Sequence, residues 1–172
     1  MNEVKLICGV ITGRKDLLER SREALSSEFG PIDNESDLFP FEHTKYYEKE
    51  MGTGLVRKLY SFEKPIDPGT IADIKLRTIQ MEEDMTRDSD TDVQRVVNLD
   101  PGYISLLKLV LATTKDRGHR IYLRDGIFAE VTLQYVEGGF QPLPSTYPDY
   151  RQDEYRKFFG RIREEFRKGL HT

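Results

Sequence analysis

The sequence predicts an α+β fold, a single mixed β-sheet of five to six strands with about four helices packed against it. Three features carry this expectation. Residues 4–12 and 55–62 have the apolar or alternating patterns of strands. Residues 15–29 and the segment after Asp149 repeat apolar side chains every three to four positions, as amphipathic helices do. Gly and Pro punctuate the boundaries between them. The opening order of strand, helix, two strands, helix, strand is compatible with a ferredoxin-like half, and residues 1–172 are expected to form one globular domain.

Taken in order, residues 4–12 are almost continuously apolar, as a strand covered on both faces would be. Cys8 lies within this run and is the only cysteine, so the expected state is a buried thiol with no disulfide or cysteine-based zinc site. Leu17, Leu18, Ser21, Ala24, Leu25 and Phe29 mark one helical stripe, which Gly30-Pro31 ends. The lone Gly13 before it matches neither a P-loop nor a dinucleotide fingerprint. Residues 36–41 run into Pro40 and suit an edge strand or extended loop. Residues 42–52 concentrate polar and aromatic groups. One or two helical turns there would pair His43 with Tyr47 and Tyr46 with Glu50, either as a solvated helix with Tyr pinned to the core or as a ligand-facing flap. Residues 55–62 read as a strand with one wetter face, Asp67-Pro68-Gly69 opens a helix reaching about residue 86, and a polar loop leads to a strand at 93–99.

The densest apolar pattern lies between residues 98 and 133. Asp100-Pro101-Gly102 has the chemistry of an N-cap and first turn, and Tyr103, Ile104, Leu107, Val110 and Leu111 follow at helical spacing. Leu106 and Leu109 widen the apolar surface nearly all round, so a buried helix is predicted. A type I turn feeding an inner strand is the competing reading, set aside because the run is longer than most strands. After Gly118, two strands joined by Asp125-Gly126 form a hairpin with a two-residue loop. That register pairs Leu123 with Phe128, Ile121 with Glu130 and His119 with Thr132, making His119 and Glu130 diagonal neighbours on one face and turning Arg120 to the other. Residues 140–148 are proline-punctuated and read as irregular. The last helix carries Tyr155, Phe158, Phe159, Ile162, Phe166 and Leu170 on one stripe. Its basic opposite face is broken by Glu154, Glu164 and Glu165, which favours docking on the sheet over a membrane or nucleic acid.

Composition narrows the function classes. A net charge of −4 does not suit a general phosphate-backbone binder, so nucleic acid is not an expected partner. No apolar run approaches the ~20 residues that span a bilayer, and the N-terminus lacks a secretory pattern, so a cytoplasmic protein without membrane contact is expected. His43, His119 and His171 are far apart and lack metal-ligand spacing, and no motif identifies a cofactor.

His119 and Glu130 are the candidates for proton transfer, with Lys115 and Arg120 for ligand charge and His43, Tyr47 and Tyr147 as further ligand contacts. The expected function is binding of a small anionic ligand, a nucleotide or phosphorylated metabolite, beside the 119–133 hairpin. The alternative is a non-catalytic regulatory or partner-binding module that uses its Tyr-rich loops on another protein or a second copy. The blocks GVITG, FPFEHTKYYEKEMG, NLDPGYISLLKLVLATTKD, HRIYLRDGIFAEVTL and GGFQPLPSTYPDYR resemble an uncharacterised prokaryotic family, the domain of unknown function numbered forty-four sixteen. The resemblance implies no established activity. Some members carry the label GTP-binding or GTP-binding regulator. G-x-x-x-x-G-K-[ST] is missing here, and Thr114-Lys115-Asp116-Arg117 puts arginine where a GTPase would place its base-reading aspartate. Only an unrelated mode of nucleotide binding is compatible with that label.

Overall fold

The computed structural model describes residues 2–42 and 45–170, and they build a nine-stranded sheet in which every pair of strands is antiparallel. In chain order the elements are β1 (Lys5–Thr12), α1 (Lys15–Phe29), β2 (Ile32–Glu35), β3 (Phe39–Pro40), α2 (Glu48–Met51), β4 (Val56–Phe62), α3 (Ile71–Arg87), β5 (Asn98–Ile104), β6 (Lys108–Thr113), β7 (Ile121–Arg124), β8 (Ile127–Val136), β9 (Gly139–Pro142) and α4 (Asp153–Gly169). The strand order is β2-β4-β1-β5-β6-β8-β7, with β3 on the far edge of β4 beyond β2 and β9 beside the second half of β8. This overturns the mixed sheet of five to six strands. A ferredoxin-like start also fails, because it needs a parallel crossover pair and this sheet has none.

β1 lies inside the sheet, between β4 and β5, and is buried along its whole length. Leu6, Cys8 and Val10 point to a core completed by Leu17 and Leu25 of α1 and by Ile71, Ile74 and Met81 of α3. Ile7 points the other way, into a second core where Tyr155, Phe158, Phe159 and Ile162 of α4 pack on Leu59, Leu109, Leu111 and Leu133. Two-sided cover is why β1 shows no polar alternation. Each fully buried α4 side chain adds about 1.5–3 kcal/mol of apolar burial, and the basic face of the helix is taken up locally, with Arg163 donating to the Leu106 carbonyl and stacking on Tyr135. Burial pushes the Cys8 thiol far above its ordinary range.

The largest departure from the sequence reading is at residues 98–113, where the predicted helix is the β5–β6 hairpin. Ser105 holds the turn, donating its N–H to the Lys108 carbonyl and accepting the Leu107 and Lys108 amides on its hydroxyl. The run looked apolar all round because both faces of the hairpin are covered. Ile104, Leu109 and Leu111 meet α4, while Tyr103 and Ala112 meet the core beneath α1 and α3. Gly102 is a close-approach residue rather than part of a helix start, since a Cβ there would lie 2.2 Å from the Val110 carbonyl oxygen. Other departures are smaller. The strand expected at 93–99 begins at Asn98, β9 takes up the start of the stretch expected to be irregular, β2 adds a strand that the sequence does not signal, and β4 is buried on both faces except near its start.

Candidate functional site

The site originates in a local failure of sheet pairing. β5 and β6 are hydrogen-bonded only from Gly102–Leu111 to Ile104–Leu109, although β6 runs on to Thr113 and β5 begins at Asn98. Pro101 has no N–H to give to a neighbouring strand, so the ladder stops there. Leu99 would next face Thr114, but α3 takes that strand's place. The Leu99 N–H donates to Glu82 Oε2 at 3.0 Å, and Lys75 Nζ donates to the Leu99 carbonyl at 2.9 Å. Two side chains thus satisfy the backbone of a strand that has lost its partner, and β5 and β6 are held apart. A cavity of about 820 Å³ fills the opening, lined from both sheet faces.

On the α4 side its wall is an ionic group centred on Arg57. Arg57 is 4 % exposed, and its guanidinium donates to Asp149 and, at 3.2 Å, to Asp100, and sits between the rings of Phe41 and Tyr150. It reaches Asp100 two strands away across Gly9, which has no side chain to block the path. Burial alone disfavours the Arg57 charge, but Tyr150, Asp149 and Asp100 together hold it above its ordinary value. On the α3 side, burial pushes the Glu82 carboxyl upward against the opposing pull of Lys75, the Leu99 N–H and Arg95. Arg95 also pairs with Glu50 at 3.1 Å and donates to Asn98 Oδ1 at 2.7 Å. Two buried donors of lining residues, Arg95 Nε and Asn98 Nδ2, have no partner among the described residues, while Arg57 also interacts with the buried Tyr155 hydroxyl.

The hairpin supplies the third wall. Asp125 and Gly126 both adopt positive φ, 50° and 76°, as the predicted two-residue loop requires. Pairing then slips by one residue at Leu123, so Tyr122 faces Phe128 and Ile121 faces Ala129. The expected Ile121–Glu130 and Leu123–Phe128 pairs do not form. This bulge has a consequence for the site, because carrying the register one residue further sets Arg120 opposite Glu130, where the sequence reading had turned it away. Arg120 Nε donates to Glu130 Oε2 at 3.2 Å, with further bonds to the Lys115 carbonyl and the Tyr147 hydroxyl. Burial works against the Arg120 charge, and Glu130 and Tyr147 more than restore it. His119 Nε2 lies 2.6 Å from the same Glu130 oxygen.

Of the residues singled out from sequence, Lys115, Arg120, Glu130, Tyr47 and Tyr147 line the cavity together. His119 joins the group through Glu130 and is not part of the lining, and His43 lies outside the described residues. Lys115 Nζ packs 3.6 Å from the centre of the Tyr46 ring and makes no ion pair among the described residues. Sequence reasoning missed Arg57, Asp149, Arg95, Asn98, Lys75 and Glu82. Arg57 in a strand and Lys75 on an apolar helix face were legible as charges at inward positions, while Asp100 was read as a helix cap. No group of His, Cys, Asp and Glu suited to a metal ion occurs among the described residues, nor does a helix long and apolar enough to cross a membrane.

An α+β chain with a polar cleft opened between two strands defines a class of architecture, not an activity. The chain belongs to the family described as Domain of unknown function (DUF4416), whose profile matches residues 2–166. No protein of curated function and no solved structure matches it.

Proposed function

We propose that this protein binds a small anionic ligand, a nucleotide or phosphorylated metabolite, in the cavity between β5 and β6. The observation supporting this is the surplus of donors. The lining has seven Lys and Arg against six Asp and Glu in a chain of net charge −4, and two of its buried N–H groups, on Arg95 and Asn98, are unused. Buried donors without partners are costly unless a ligand or water accepts from them. Tyr46 and Tyr47 provide apolar faces beside Lys115 for a planar or sugar-like body. If a reaction follows binding, His119 exchanges protons with the ligand through Glu130, the member of that pair which meets the cavity.

A thermal-shift screen over nucleotides and phosphorylated metabolites tests this reading. A stabilising compound whose effect is lost in Lys115→Ala and Glu130→Ala supports it, and a screen in which no anionic compound stabilises the chain refutes it. The exposure of Tyr46 and Tyr147, 52 % and 49 %, favours a second reading as a partner-binding module. An empty screen, together with a protein that co-purifies only while Tyr46 and Tyr147 are intact, would select that alternative.

A further inference from the structure

We propose that Arg95, Asn98 and Lys115 form a phosphate subsite, and that the ligand is a phosphomonoester whose body presents a hydroxyl or amino donor to Asp100. This deepens the anionic-ligand reading and rests on it. Asn98 is 4 % exposed, and its Oδ1 accepts from Arg95 while its Nδ2 has no partner among the described residues. Arg95 divides its terminal nitrogens among Glu50, Glu82 and Asn98, and its Nε is unused. The two spare donors therefore belong to side chains already bonded to each other.

Lys115 lies two residues past the end of β6, on the other side of the opening. If the β5–β6 register continued past the splay, Lys115 would stand opposite Asn98. The Arg95 guanidinium carbon and Lys115 Nζ lie 5.6 Å and 5.7 Å from the centroid of one Tyr47 ring, which makes that ring their common wall. Two unused N–H groups on one bonded pair and an ammonium that shares the Tyr47 wall with it suit a phosphoryl oxygen set, which accepts several charge-assisted bonds at once.

Asp100 sets what lies beyond the phosphate. It follows Asn98 by two residues on the same face of β5, about 7 Å along the strand. Its Oδ2 accepts from Arg57, and its Oδ1 has no hydrogen-bond partner among the described residues. A carboxylate accepts and does not donate. That position selects a donor on the ligand and repels a second anionic group, so a phosphomonoester bearing a hydroxyl or amino group fits, and a compound with anions at both ends does not.

Isothermal titration with inorganic phosphate and ribose 5-phosphate tests the assignment. Phosphate binding should weaken at least tenfold in Asn98→Asp, which keeps the side-chain shape but replaces the donor, and in Lys115→Met. Ribose 5-phosphate should bind more tightly than phosphate, and Asp100→Asn should shrink that advantage while phosphate still binds. Lys115→Met changes a partly exposed residue outside the core clusters, so the test does not depend on Asn98→Asp folding. Unchanged phosphate affinity in Lys115→Met, or an undiminished preference in Asp100→Asn, overturns the subsite. The broader reading survives that result if another anionic compound stabilises the chain. Both fall if none does.

Discussion

Arg57→Met isolates the energetics of the cavity wall. Methionine retains much of the apolar stem between Phe41 and Tyr150 but removes the guanidinium that faces two carboxylates. The side chain of Asp149 is 8 % exposed, and it has no other cationic partner among the described residues, so its charge would be left buried and unpaired. Removing one member of a buried ion pair costs about 3–5 kcal/mol. That is a large part of the roughly 5–15 kcal/mol by which a domain is stable. With a urea slope of about 2 kcal/mol per molar, the unfolding midpoint should fall by about 2 M at pH 7. Adding Asp149→Asn should recover part of the loss, because the stranded charge goes and the asparagine oxygen can still accept the Tyr150 amide. A fall corresponding to less than about 1 kcal/mol, or strictly additive losses in the double variant, would show that Arg57 and Asp149 do not form a desolvated pair.

Two further predictions follow from the splayed strands. Gly102→Ala should destabilise the chain by about 1–3 kcal/mol or more in urea unfolding, because the added methyl meets the Val110 carbonyl and the hairpin must spread; a cost below about 0.5 kcal/mol would mean that β5 and β6 are not so close. Glu82→Gln probes the helix side of the cleft. Because burial raises the folded carboxyl above its ordinary 4.5, its contribution to stability is fully present below that pH and declines as pH rises through the folded value. Glutamine does not titrate, so its stability relative to wild type should improve from pH 4 to pH 7. A pH-independent difference in unfolding midpoint would show that Glu82 is not held in a desolvated site.

The local elements were largely legible in the sequence. The stripes at Leu17 to Phe29 and Tyr155 to Phe166, the positive-φ turn at Asp125-Gly126 and the buried run around Cys8 follow from side-chain period and backbone sterics, which act over a few residues. The hairpin at residues 98–113 was not legible. A strand covered on both faces and a buried helix both present nearly unbroken apolar sequence, and Asp-Pro-Gly is equally at home at a helix start.

What the sequence by itself determined was the set of pieces and several residues of the cleft, among them Lys115, Glu130 and Tyr147. The tertiary structure alone decided that a proline would stop one ladder, that Lys75 and Glu82 would take over its bonds, and that a bulge at Leu123 would bring Arg120 round to Glu130. Those events depend on backbone groups far apart in the chain finding or losing partners. Such pairing is governed by three-dimensional register, whereas periodicity and propensity report only on near neighbours.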